Sequence, residues 1–169
     1  MTELTPATQS RAVANTDAQH QANAMQSADE QVFVTVYVAD QLFGLAVERV
    51  QDILIPEKIA RIPLAPPEVA GSINLRGRIV TVIDVRTRLG LPPKKSKGNI
   101  MCVTVEQGAE LYSLQVDSVG NVQSLPISRI EPNPSTLDPR WRGISLGVVR
   151  LEGELMVVLD IDAFLDFGN

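Results

Sequence analysis

Histidine, cysteine and aromatic side chains are scarce in this chain of 169 residues. The one histidine, His20, lies in a polar N-terminal stretch, which takes imidazole out of the acid–base chemistry open to a folded site. Cys102 is also alone, so no disulfide forms within the chain, and one cysteine with one distant histidine makes no zinc site. Its place in the apolar run IMCVTV, residues 100–105, reads as a buried strand thiol in a reducing compartment. Aromatics make up only 4%, so the core must be aliphatic, each buried Val, Leu or Ile contributing about 1.5–3 kcal/mol before chain entropy is subtracted. No stretch approaches the ~18 apolar residues of a membrane span, and the start lacks the apolar segment of a signal peptide, so a cytoplasmic protein without membrane insertion is expected. A net charge of −5 disfavours nucleic acid and anionic lipid as partners. Lys94, Lys95 and Lys97, between Pro92-Pro93 and Gly98, read as a solvated connector. Phosphate-cradling glycine loops are missing and no serine or threonine has a folded histidine partner, so neither a cofactor nor enzymatic activity is expected.

What the chain does have is aliphatic content, 44% of it being hydrophobic, arranged in short runs. Residues 1–30 carry no aromatic residue and no sustained apolar period and read as a disordered tail. Structure is expected from Gln31, where Val32, Val34, Val36 and Val38 alternate against Phe33 and Tyr37 as a strand. A turn at Asp40-Gln41 leads to a second strand over residues 42–46, and Val47, Val50 and Leu54 then fall at helical spacing, predicting a short helix over residues 47–54. Pro56, Pro63, Pro66 and Pro67 mark an irregular passage. It ends at GSINLRGRIVTVIDVRTRLG, residues 71–90, which reads as a hairpin turning at Arg76-Gly77, a central strand over residues 79–83, and a helix. Asp84 stands at the N-cap of that helix, Val85 and Leu89 share a face, and Gly90 is the C-terminal stop.

The second half repeats the first. FGLAVERV, residues 43–50, aligns with YSLQVDSV, residues 112–119, and residues 71–84 align with GVVRLEGELMVVLD, residues 147–160. The offsets are 69 and 76 residues, so the second copy carries seven extra residues within the proline-rich segment 125–146. Two copies of about seventy residues, each with about five short strands, predict a mainly β protein of two small antiparallel barrels that pack on a shared core, since either copy alone is marginal in size. The expected division is a tail over 1–30 and a domain over 31–169 made of intertwined halves, about 31–95 and 96–169.

The repeat also weighs the candidate chemistry. Asp84 and Asp160 are a pair of carboxylates, but each ends a strand just before an i, i+4 apolar pair, so both are better explained as helix caps than as an acid–base couple. The hairpin tips diverge instead: Asn74, Leu75, Arg76 and Gly77 become Arg150, Leu151, Glu152 and Gly153. Either the tip needs only to be soluble, or Arg76 offers a fork of donors to a carboxylate on a partner or a neighbouring loop.

Residues 71–90 resemble the signature of CheW, the coupling protein family of bacterial chemotaxis. The resemblance extends to FGLAVERVQDIL at residues 43–54, IPLAPPEVAG at 62–71 and VDSV at 116–119, covering about residues 31–167. It implies two SH3-like five-stranded barrels and a non-catalytic adaptor that links the cytoplasmic tips of methyl-accepting chemoreceptors to the regulatory domain of the histidine kinase CheA at membrane-associated arrays. Carried over by motif, Arg76 is the receptor-side residue, and Val50, Asp52 and Gly71 match positions associated with partner coupling, beside the tip residues Asn74 and Gly77. A CheW-like domain of a larger protein, the kinase itself or a receiver-linked adaptor, is the alternative; the starting Met, plain tail and end at Asn169 argue for the free adaptor. The family more often has Glu where this chain has Asp52. Opposite charge suggests that Asp52 holds Arg76 in place, the other reading being two separately solvated charges.

Overall fold

The computed structural model of the chain describes residues 29–93 and 100–166. The expected tail up to residue 28 and the lysine connector at residues 94–99 lie outside the described residues, while Glu30, assigned to the tail, opens the first strand. The strands are β1 (Glu30–Val38), β2 (Gln41–Ala46), β3 (Val50–Leu54), β4 (Val69–Leu75), β5 (Arg78–Asp84), β6 (Met101–Gln107), β7 (Glu110–Val116), β8 (Ser118–Pro126), β9 (Ser145–Leu151) and β10 (Glu154–Leu159). Three four-residue helices accompany them: α1 (Val85–Arg88), α2 (Pro139–Arg142) and α3 (Ile161–Phe164). The fold is mainly β, as expected, with two five-stranded sheets ordered β8-β1-β2-β10-β9 and β3-β6-β7-β5-β4.

The two sheets do not follow the division at residue 95. The first is built from both ends of the chain, whereas residues 50–116 supply all of the second. In terms of the repeats, each sheet takes the first hairpin of one copy and the remaining three strands of the other. The exchange is symmetric in register: Phe43 pairs with Val157 where the second sheet pairs Tyr112 with Thr81, and Val36 pairs with Val119 where it pairs Val105 with Val50. Most pairings are antiparallel, but β2 with β10 and β5 with β7 run parallel. Those contacts need no crossover helix, because the intervening chain is long enough to bring each strand back.

Two local expectations are corrected. Residues 47–54 form no helix: a single 3-10 turn at Val47–Arg49 leads directly into β3. Asp52 and Leu54 share a face by strand alternation, opposite Thr104 and Cys102, while Val50 pairs with Val105 across a bulge and turns to the other face; pairing with β6 outweighs the coincidental helical spacing. The first turn lies one residue earlier, at Ala39-Asp40, both with positive φ of 48° and 71°, the mirror-image geometry that matches strand twist in two-residue hairpins.

Both faces of each sheet are covered. Phe43, Leu45 and Val157 of one sheet meet Ile83, Val103 and Leu114 of the other in a shared core. Phe33, Leu42, Val149 and Met156 form a separate cluster on the first sheet, and Ile73, Val80, Val82 and Cys102 one on the second. The extra residues of the second copy include α2, whose Trp141 closes the shared core, its Nε1 donating to the Leu89 carbonyl at 3.0 Å and its ring centroid 5.6 Å from that of Phe43. Cys102 is fully buried, and burial pushes its thiol up to about 11, so it stays protonated.

Asp84 and Asp160 cap their helices, accepting from the backbone N–H of Thr87 at 3.3 Å and of Ala163 at 3.2 Å. Asp84→Ala and Asp160→Ala are each expected to cost about 1 kcal/mol in urea unfolding, with Asn at either position recovering most of that loss. A cost near zero at both positions would contradict the capping role.

Candidate functional site

Arg76 sits at the turn between β4 and β5 with φ of +52°, followed by Gly77 at +83°. Two successive left-handed residues make the tight mirror-image turn, and placing a non-glycine residue there costs about 1 kcal/mol. Asn74 supports it, its Oδ1 accepting from the Gly77 N–H at 3.0 Å. The second tip repeats the glycine conformation, Gly153 also having φ of +83°, but Glu152 does not share the positive φ of Arg76.

Arg76 Nη2 lies 2.8 Å from Asp52 Oδ2. The two partners differ sharply in environment: the Asp52 side chain is only 12% exposed and that of Arg76 68%. Asp52 Oδ1 also accepts from the Ile53 N–H at 2.9 Å. The carboxylate is thereby fixed by the β3 backbone, and it anchors one corner of a guanidinium whose other donors face solvent. β3 and β4 are the outer strands of their sheet, so this pair requires the sheet to curl until its edges approach. Leu54 and Leu75, packed against one cluster, show the same approach in apolar contacts. The reading of Asp52 and Arg76 as a pair thus holds over that of two separately solvated charges. The repeat shows it belongs to one sheet, because the equivalents of Asp52 and Arg76 are Asn121 and Glu152.

The remaining sequence-picked residues divide in two. Asn74 and Gly77 build the tip itself. Val50 is half-buried against two core clusters, and Gly71 is buried with φ of +150° against the backbone of Ala60. Val50 thus packs into the core and Gly71 has no side chain to offer, which gives each a part in the scaffold. Sequence reading missed Ile53 and Ile55, which follow Asp52 in the chain and are 40% and 66% exposed. It also missed Leu64, fully exposed with φ of +63° beside a cleft of 590 Å³ lined by the proline passage, including Arg61, Pro63, Pro66 and Ala70. The pattern Ile62-Pro63-Leu64-Ala65, with proline at the second place of a turn, was the available signal. Among the described residues no group of three or more His, Cys, Asp or Glu is placed to hold a metal ion, and no helix is long and apolar enough to cross a membrane.

The fold and this tip define a duplicated, hairpin-exchanged double-sheet scaffold with a pinned arginine at one hairpin turn. Residues 32–167 match the CheW-like domain, and the chain belongs to that family. It is 26% identical over 126 residues to the chemotaxis protein CheW of Rhizobium meliloti, covering 75% of this chain and 81% of that protein. Against chemotaxis protein CheW of Bacillus subtilis it is 28% identical over 124 residues, covering 73% and 80%. Among solved structures it resembles the scaffolding protein TtCheW of Thermoanaerobacter tengcongensis, with a TM-score of 0.69 and 27% identity over 76% of this chain and 88% of that one.

Proposed function

We propose that this chain is a non-catalytic chemotaxis adaptor of the cytoplasm that couples methyl-accepting chemoreceptors to the regulatory domain of the histidine kinase CheA at receptor arrays. Family membership and the names of its relatives support the adaptor role. The observation that carries the site is the asymmetric pair: a nearly buried Asp52 holding an exposed Arg76 on a stiff turn. An arginine already oriented loses little freedom on binding, and its remaining N–H groups suit a carboxylate or helix-terminal carbonyls of the receptor tip. Asn74 and Gly77 set the turn, and Val50 and Gly71 keep the surface in shape from beneath.

The test is capture of receptor and kinase fragments by wild type and Arg76→Ala. Receptor capture is expected to fall about tenfold or more through loss of charge-assisted hydrogen bonds, while folding stability falls by only about 1 kcal/mol, because Asp52 loses an exposed partner but keeps the Ile53 N–H. Undiminished receptor capture by the variant would reject the role of Arg76. Capture of neither fragment by wild type would reject the adaptor reading.

A further inference from the structure

Neither repeat closes a sheet alone. On a self-contained repeat, β3 would flank β1 and run parallel to β2, a connection that takes a dozen or more residues, whereas Val47–Arg49 provides three. Each first hairpin must therefore dock on another repeat, either the second one in its own chain or one in another molecule. Those hairpins are alike in register, so something must decide between partners.

Size complementarity distinguishes them. In the first sheet Met156 lies over Gly44, its sulfur 2.8 Å and its methyl 2.9 Å from where a Cβ at residue 44 would stand, with the Phe33 ring at 3.3 Å. Met156 and Phe33 are buried, and Met156 is fully enclosed, so the sulfur has little room to retreat. At the equivalent place in the second sheet the residues are Ser113, Val80 and Cys102, all buried. A large side chain faces glycine in one sheet, and the equivalent positions of the other hold valine and serine. Were second repeats to pair with each other, Met156 would meet Ser113; were first repeats to do so, Val80 over Gly44 would leave a void.

Charge adds to this. Arg86 and Asp162 occupy equivalent helix positions with opposite sign: Arg86 pairs with Asp117 at 2.6 Å and Asp162 with Arg49 at 2.7 Å, each across the repeats. Self-pairing of second repeats would bring Asp162 to Asp117, a like-charge contact. Self-pairing of first repeats would bring Arg86 to Glu48 and Arg49, so charge opposes only the former while size opposes both. We infer that the Gly44/Met156 and Ser113/Val80 contacts, with the two reversed ion pairs, form a pairing code by which each repeat accepts the other and rejects a second copy of itself.

The full chain tests this under reducing conditions with Gly44→Ser, Met156→Val and the double variant, which gives both sheets a serine facing a valine. Each single variant lowers the urea midpoint, and the double recovers more than the two losses predict together. Refolded from urea at high protein concentration and followed by light scattering, the double variant yields a dimer fraction several times that of wild type. Additive losses in the midpoints, or a dimer fraction equal to that of wild type, overturn the code.

Discussion

Replacing Gly71 by alanine is expected to destabilise the protein by on the order of 4 kcal/mol, a large part of a typical domain's stability. Its φ of +150° disfavours any L side chain, and a Cβ there would stand 2.2 Å from the Ala60 carbonyl oxygen. That oxygen has little freedom to move, since it accepts from the Ser72 N–H at 2.7 Å while the Ala60 N–H donates to the Ser72 carbonyl at 2.9 Å. Gly147 repeats the arrangement with the same φ, 2.6 Å from the Glu131 carbonyl oxygen. Gly147→Ala is therefore expected to be damaging too. Gly77→Ala is the control: its φ is +83° but its surroundings are open, so about 1 kcal/mol is expected. Urea unfolding of the three variants decides the matter, and equal losses at Gly71 and Gly77 would show that the Ala60 backbone yields freely. Any loss of partner binding in Gly71→Ala belongs to the fold, so it should be compared only at equal folded fraction.

Trp141→Ala is expected to cost about 3–5 kcal/mol. The indole fills the shared core beside Phe43, and its removal also strips the Leu89 carbonyl of the donor at 3.0 Å. Trp141→Phe separates the two effects, keeping most of the ring volume while losing the hydrogen bond, and a loss of about 1–2 kcal/mol is expected. Circular dichroism is the suitable readout, because either change removes the chain's single tryptophan. A loss below 1 kcal/mol for Trp141→Ala would mean that α2 only covers the core without supporting it.

Local features were readable in the sequence because their causes are local. Asp84 before Val85 and Leu89, and Asp160 before Ile161 and Leu165, carry the helix caps within a few residues. The pairing of Asp52 with Arg76 was readable from charge once both stood in neighbouring motifs. The exchange of hairpins was not, since β3 and β8 carry equivalent patterns and nothing in either says which first hairpin it will join. Residues 47–54 misled because Val47, Val50 and Leu54 fit a helical face, while the partner that makes a strand of them is β6, less than a third of the chain further on. Gly71 was read as a coupling position from its motif; its steric constraint was not legible, because the carbonyl that imposes it lies in a segment with no regular pattern.

The order of the strands also sets a timetable for synthesis. All of the second sheet is encoded in residues 50–116, so it can assemble while the C-terminal strands are still being made. The hairpin of β1 and β2 emerges first yet must wait for β8 and β10, the latter more than a hundred residues later. At about 5–20 residues per second that delay is on the order of ten seconds. Through that interval the hairpin carries bare strand edges, and it reaches its native pairing only once β10 has been made.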